Sequence, residues 1–160
     1  MTNTGPLTII ILNIKLLTEN AYFNGKNAMV MRILGTGAYV PERIVTNDDL
    51  AQIVETSDEW ISSRTGIRER RISQGEGTSF MAAEKRALEQ SGVKPEELDL
   101  ILLGTSTPDN CFPSGACEVQ GAVGAANAVA YDISAACSGF IFALNTAQAF
   151  FEAGIYRTAL

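Results

Sequence analysis

The sequence predicts a layered α/β fold, and two observations carry that prediction. Short apolar runs that end in glycine or polar residues recur at 31–35, 98–104 and 128–133, as is typical of buried strands. Between them lie longer segments in which apolar residues recur at helical spacing and the ends carry start and stop signals. Strands that alternate with helices are typical of α/β proteins, in which helices cover a sheet.

The predicted helices begin at residues that cap helices well. In chain order the candidates are Thr46 or Asn47, Ser57, Thr78 or Ser79, and Pro113 in a first turn. The helix that follows Ser57 is short and extends through Trp60. Gly92 closes the third helix, and Gly121 or Gly124 closes the fourth.

The last predicted helix, from about 137 to 153, is apolar nearly all round. Its apolar residues at helical spacing are Phe140, Ala143, Leu144, Ala147, Phe150 and Phe151, and Ile141 and Phe142 add apolar surface elsewhere. Such a helix is buried between layers rather than lying on a surface. We therefore expect it to lie between two sheets, followed by a further strand at 155–160.

Composition narrows the possible functions. The chain has 160 residues, of which 46% are apolar and 19% charged, and its net charge of −6 argues against a general nucleic-acid binder. Four of the 12 basic residues nevertheless lie between Arg64 and Arg71, where they form either a contact for an anionic partner or an ordinary solvated surface. Three cysteines without CxxC spacing, and no histidine, indicate neither a zinc site nor a disulfide framework, and reduced thiols indicate a cytoplasmic protein.

The first 28 residues form a distinct segment in this interpretation. Their apolar run at 7–12 is too short to span a membrane, and no basic residue precedes it as in a signal peptide. We expect residues 1–28 to be a leader extension and residues 29–160 to form the domain that carries the chemistry.

The most informative segment runs from 130 to 140, where a predicted strand turns at once into a helix with Cys137 at the junction. Unpaired backbone N–H groups and the positive end of a helix dipole stabilise a thiolate there. Because the thiolate is the nucleophile, this position favours covalent acyl chemistry. The alternative is a small buried cysteine that only fills a strand–helix junction.

Two further segments have candidate binding residues. The Gly35-Thr36-Gly37 run follows a strand, but position 40 is Val and Pro41 follows, so it does not fit a dinucleotide-binding loop. Trp60 and Arg64 are four residues apart and share one helix face, where an indole and a guanidinium suit an adenine ring and phosphates. The alternative is a core Trp and a surface Arg.

Several segments in order resemble the ketoacyl-acyl-carrier-protein synthase III family of thiolase-like condensing enzymes. They are ILGTGAYVPE at 33–42, TNDDL at 46–50, TSDEWISSRTGIRER at 56–70, LDLIL at 98–102, TSTPD at 105–109, FPS at 112–114 and DISAACSGF at 132–140. The resemblance covers about 29–160, and the segment at 56–70 is the most specific. It implies a five-layered αβαβα thiolase-like fold, of which this chain holds the first pseudo-repeat.

The resemblance also implies roles for individual residues. Cys137 is the nucleophile that takes the acyl group, and Thr56, Trp60 and Arg64 bind coenzyme A. Phe112 lines the acyl pocket of the neighbouring subunit in a homodimer, although a core aromatic is the alternative. The implied partners are acyl-CoA and malonyl-acyl carrier protein, with no metal or redox cofactor, no nucleic acid and no membrane.

One departure from the family pattern is clear, because the sequence contains no histidine. The family uses a His and an Asn downstream of the nucleophile to drive decarboxylation of the malonyl unit. We therefore expect the chain to represent the first half of a condensing enzyme that initiates fatty-acid synthesis. The alternatives are another thiolase-like enzyme, of hydroxymethylglutaryl-CoA synthase or secondary-metabolite type, and a non-catalytic half-protein that binds a partner subunit.

Overall fold

The computed structural model describes residues 14–17, 22–23, 26–27, 30–72 and 79–160. Its chain contacts divide into two compact units. The described part of the first unit lies between Tyr39 and Ser79, and that of the second comprises the remainder. The domain predicted for residues 29–160 therefore divides internally into two units.

The second unit contains a five-stranded sheet. Its strands are β1 (Ile14–Leu17), β4 (Val30–Ile33), β7 (Leu100–Gly104), β8 (Val129–Ile133) and β9 (Thr158–Ala159), in the spatial order β4-β1-β9-β7-β8. Two further strands, β2 (Tyr22–Phe23) and β3 (Lys26–Asn27), pair with each other. Strand β7 is parallel to β8 and β9, whereas β1 is antiparallel to both β4 and β9. The strands predicted at 31–35, 98–104, 128–133 and 155–160 are therefore confirmed. Each is shorter than predicted, and β4 begins one residue earlier, at Val30.

Alternation along β7 sets up a core on each face of this sheet. The side chain of Ile101 packs with buried residues of α3 (Ser79–Ser91) and α4 (Gly115–Val123). Its neighbour Leu100 packs instead with Ala147 and Phe151 of α5 (Gly139–Glu152). Strand β7 is thus covered by helices on both faces of the sheet, as the α/β interpretation predicts.

The described part of the first unit contains a two-stranded antiparallel sheet and two short helices. Strands β5 (Ile44–Thr46) and β6 (Glu69–Arg71) pair antiparallel, and α1 (Asn47–Ala51) and α2 (Asp58–Thr65) lie between them in sequence. Thr46 rather than Asn47 is the N-cap of α1, because its hydroxyl accepts from the Asp49 backbone N–H while the Asp49 carboxylate accepts from the Thr46 N–H. Asn47 is instead buried.

Four sequence predictions require correction in detail. Strand β1 lies in the segment predicted as a separate leader, yet it pairs within the sheet. Helix α5 is buried on one face only, since Ile141 and Phe142 are 54% and 51% exposed. Helix α2 continues past Trp60 to Thr65. Pro113 precedes the α4 N-cap, Ser114, instead of lying in the first turn.

The helix predicted to begin at Thr78 or Ser79 begins at Ser79, while Thr78 lies outside the described residues. Among the described helices, none is both long and apolar enough to cross a membrane.

Candidate active site

The cysteine turn connects β8 to α5 and presents the thiol of Cys137 to solvent. After β8, the chain passes through a short 3₁₀ helix, Ala136–Ser138, before α5 begins at Gly139. Ala136 has φ 44°, a conformation that costs a residue with a Cβ about 1–3 kcal/mol. Cys137 follows directly and is exposed, so the alternative of a buried structural cysteine is wrong in this chain.

Two glycines hold this turn against the sheet. A Cβ placed on Gly104, the last residue of β7, would lie 3.0 Å from the carbonyl carbon of Gly139. A Cβ on Gly139 would in turn lie 3.2 Å from the Cα of Gly104. Only residues without a Cβ allow the backbones to approach this closely, and the contact fixes the first residue of α5 two positions after the thiol.

The other two cysteines differ from Cys137. The Sγ of Cys117 accepts a hydrogen bond from the Ser114 hydroxyl at 3.2 Å and donates to the Ala130 carbonyl at 3.6 Å, so this half-buried thiol has a structural role. Cys111 is exposed and lies beside Phe112 in sequence. Exposure therefore separates Cys117 from the other two but does not separate Cys111 from Cys137.

Phe112 is 93% exposed, which excludes the core-aromatic alternative within this chain. The helix that follows it is anchored by Asp132, whose two carboxylate oxygens accept from the backbone N–H groups of Gly115 and Ala116 at 3.0 and 2.8 Å. A carboxylate at a helix N-terminus is favourable because it pairs orphan donors and complements the dipole. Asp132 of β8 thus ties the strand that leads to Cys137 to the helix that follows Phe112.

Thr56, Trp60 and Arg64 form what we call the α2 platform, in the first unit. Ser57 caps the helix by accepting from the Trp60 N–H at 3.1 Å, and Gly66 ends it with φ 71°. The Arg64 guanidinium carbon lies 4.5 Å from the centroid of the Trp60 ring. Trp60 is 54% exposed, which excludes the core alternative. An exposed indole with a stacked guanidinium is a surface that suits a flat, anionic ligand.

The hydroxyl oxygen of Thr56 is buried and has no hydrogen-bond partner within the described part of the chain. A buried hydroxyl without a partner costs free energy. Thr56 comes immediately before the Ser57 cap, so its unpaired hydroxyl belongs to the same end of the helix as Trp60.

The basic cluster that the sequence singles out is mostly used within the unit. Arg68 pairs with Asp58 at 3.9 Å, Arg71 pairs with Glu69 at 3.6 Å, and Arg70 donates to Asn47 at 2.8 Å. Arg64 is the member that stacks on an aromatic ring. The four arginines therefore act mainly in separate local contacts.

The sequence did not identify a functional role for two buried polar residues, Asn47 and Glu84, although Asn47 was a candidate helix cap. Asn47 is 1% exposed, and its side chain hydrogen-bonds to three other residues of the first unit. Glu84 on α3 is 3% exposed, and burial raises the pKa of its carboxyl to about 7. The sequence does offer one indication for Glu84, since a charged residue there occupies a core position in the apolar pattern of α3.

Comparison with known proteins identifies relatives over most of the chain. The family profile for 3-oxoacyl-[acyl-carrier-protein] synthase III matches residues 131–160. Beta-ketoacyl-[acyl-carrier-protein] synthase III of Clostridium acetobutylicum is 60% identical over 132 residues, which are 81% of this chain and 41% of that protein. The corresponding synthase of Caldanaerobacter subterraneus is 58% identical over 131 residues, which are 80% of this chain and 40% of that protein.

Solved structures of synthase III enzymes are also similar to this chain. The crystal structure of 3-oxoacyl-[acyl-carrier-protein] synthase III from Aquifex aeolicus superposes with a TM-score of 0.75 at 51% identity, over 79% of this chain and 42% of that one. The synthase III structure from Thermus thermophilus gives 0.73 at 41% identity, over 79% of this chain and 40% of that one.

The sheet and the helices that cover it are those of a thiolase-like condensing enzyme. Within that class, the chain belongs to the beta-ketoacyl-[acyl-carrier-protein] synthase III family. It spans about two fifths of the length of the curated relatives that it matches.

Proposed function

We propose that this chain carries the nucleophile and the coenzyme A platform of a beta-ketoacyl-acyl-carrier-protein synthase III, an acyltransferase that initiates fatty-acid synthesis. The observation that carries the proposal is the exposed Cys137 in a strained turn between β8 and α5. An exposed thiol held by a constrained backbone is suited to attack an acyl carbonyl.

The first step is acyl transfer from acyl-CoA to Cys137. The thiolate attacks the thioester carbonyl carbon, and the oxyanion that forms is stabilised in part by the backbone N–H of Cys137. The carbon–sulfur bond to coenzyme A then breaks, and coenzyme A leaves with the electron pair and takes up a proton. The enzyme is left with an acyl thioester on Cys137.

The second step is a decarboxylative condensation with malonyl-acyl carrier protein. Loss of carbon dioxide from the malonyl group leaves a carbanion, which attacks the acyl carbonyl on Cys137. The bond to Sγ breaks, which regenerates the thiolate and releases 3-ketoacyl-acyl carrier protein. The family's His and Asn assist this step, and this sequence has no histidine, so we expect the isolated chain to perform acyl transfer without condensation.

The α2 platform binds the nucleotide end of coenzyme A in this proposal. The adenine stacks on the exposed Trp60 ring, Arg64 meets phosphate oxygens, and Thr56 supplies a hydroxyl that lacks a partner in the described chain. Coenzyme A is thus a substrate carrier, and neither a metal nor a redox cofactor enters the chemistry. In a cytoplasmic homodimer, the exposed Phe112 would line the partner's acyl pocket.

A labelling experiment with radiolabelled acetyl-CoA tests the proposal. We expect one acetyl group per chain, lost in Cys137→Ser and retained in Cys111→Ser, the control at the other exposed thiol. Trp60→Ala should weaken coenzyme A binding by about fivefold or more, and Arg64→Ala should weaken it most at low salt. Label that survives Cys137→Ser, or no label at all, would refute Cys137 as the acceptor.

A further inference from the structure

Asn47 holds both ends of helix α2 with a single buried amide. Its Nδ2 donates to the Asp58 carboxylate at 2.7 Å and to the Ile67 carbonyl at 2.8 Å. Its Oδ1 accepts from the Arg70 guanidinium at 2.8 Å. Asp58 is the first residue of α2 and Ile67 follows the Gly66 cap, so the amide contacts the helix just inside one end and just beyond the other.

Helix α2 buries little of its own surface. It has eight residues, and Ile61 is the buried one among them. A helix this short is not stable by itself, so its position depends on contacts with the rest of the unit. One of the three Asn47 side-chain bonds reaches α2, and a second reaches the residue that follows its cap. The third reaches β6, so the amide links the helix to the β5–β6 strand pair.

The amide is chemically suited to this place. An asparagine offers two donors and an acceptor on one short side chain, and here all three functions are used. An aspartate of the same shape would keep the acceptor for Arg70 but would lose both donors. It would also place a second carboxylate beside Asp58, so the position excludes the nearest isostere.

We propose that Asn47 is a positioning residue for coenzyme A binding, which acts through Asp58 and Ile67 to hold α2 and thereby Trp60 and Arg64. The inference rests on the proposed function of the α2 platform. Asn47 touches no ligand itself. It fixes the helix on which the exposed indole and guanidinium are mounted.

The test measures coenzyme A affinity of the 160-residue chain through the fluorescence of Trp60, the single tryptophan of the sequence. Asn47→Asp should weaken binding about tenfold near neutral pH, because two donors are lost and two carboxylates repel each other. Lowering the pH to about 5 should recover about threefold relative to the unsubstituted chain, because a proton shared by the two carboxyls restores one donor. The charged neighbours of this pair are Arg68 and Arg70.

A second pair of variants tests the inference even if Asn47→Asp does not fold. Asp58→Ala removes the acceptor of the Asn47 amide and should weaken binding about threefold, whereas Glu59→Ala removes the other first-turn acid of α2 and should leave it unchanged. If Asp58→Ala and Glu59→Ala behave alike and Asn47→Asp shows no recovery on acidification, the inference is wrong. Failure of the unsubstituted chain to bind coenzyme A would instead overturn the proposed function.

Discussion

The hydroxyl of Thr56 is buried and unpaired in the described chain, and it has a proposed role in coenzyme A binding. One substitution separates its effect on stability from its effect on binding. Thr56→Val keeps the side-chain shape and removes the hydroxyl. Because that oxygen has no partner in the described chain, we expect the free energy of unfolding to rise by about 1 kcal/mol while coenzyme A affinity falls. Chemical denaturation and calorimetric titration measure the two effects.

The matched control is Thr65→Val, since the Thr65 hydroxyl donates to the Ile61 carbonyl at 2.7 Å within α2. Removing this satisfied hydroxyl should lower stability slightly instead of raising it. A Thr56→Val variant that is less stable than the unsubstituted chain would show that the hydroxyl has a partner after all.

Glu84 gives the second unit a stability that depends on pH. Burial raises the pKa of its carboxyl from 4.5 to about 7. Between pH 4.5 and about pH 7, the carboxyl is therefore protonated in the folded chain and ionised in the unfolded chain. The folded state therefore gains stability at low pH, and this gain is lost as the pH rises from about 4.5 to about 7. The size of the effect is on the order of 3 kcal/mol.

Glu84→Gln tests this prediction, because the amide is neutral at every pH. The variant should be more stable than the unsubstituted chain at about pH 8 and should lose the pH dependence between about pH 5 and 8. Glu89→Gln, at an exposed position of the same helix, is the control and should change little. Unfolding by guanidinium chloride across this range measures both. Parallel stability curves for Glu84→Gln and the unsubstituted chain would contradict the prediction.

At the residue scale, the sequence predicted what depends on close neighbours along the chain. The cap at Ser57 and the pairing of Trp60 with Arg64 span three and four residues, and both are present. The role of Asn47 could not be predicted, because its side-chain partners lie 11, 20 and 23 residues away. In the sequence, Asn47 was only a second candidate for the cap that Thr46 provides.

At the scale of elements, the contact between the end of β7 and the start of α5 sets the position of the cysteine turn. Gly104→Ala would bring a Cβ within 3.0 Å of the Gly139 backbone, which cannot move aside as a flexible side chain would. We expect this variant to lose about 1–3 kcal/mol of stability. We also expect slower acylation of Cys137, because α5 must shift away from the sheet. Denaturant unfolding and the labelling rate check the two parts.

Gly121→Ala is the matched control, since Gly121 lies within α4 and, apart from the adjacent backbone of that helix, no atom of the described chain is within 4 Å of the Cβ it would gain. An alanine inside a helix should stabilise the chain by about 0.5–1 kcal/mol. If both substitutions changed stability in the same direction, the close approach of Gly104 and Gly139 would have no energetic consequence.

Helix α2 shows why the bounds of some elements could not be predicted from the sequence. Beyond Trp60, a single apolar residue, Ile61, is followed by hydroxyl residues and an arginine, which give no apolar period, so the helix was predicted only through Trp60. The hydroxyls of Ser62 and Thr65 instead donate to carbonyls four residues earlier, and Gly66 then ends the helix. By contrast, β7 was predicted well because a buried strand reads as a continuous apolar run.

At the scale of the whole molecule, the α/β class was predictable because it depends on the order of strands and helices. The position of β1 in the sheet was not. Ile14–Leu17 pairs with β4 nearby in sequence and with β9 near residue 159, and only tertiary contact reveals the second pairing. The division into two units was hidden for the same reason.

The apolar surface of α5 leads to a prediction about the whole chain in solution. Ile141 and Phe142 are 54% and 51% exposed on a helix whose other face, with Ala147 and Phe151, packs on the sheet. Exposed apolar surface of this kind promotes association, so we expect the chain to form concentration-dependent oligomers in sedimentation velocity. Ile141→Glu should shift it towards the monomer. Ile53→Glu, at an isoleucine of the first unit that is 65% exposed, should leave the association unchanged. A monodisperse monomer with a sharp cooperative melt, or equal effects of the two substitutions, would show that the α5 surface does not drive association.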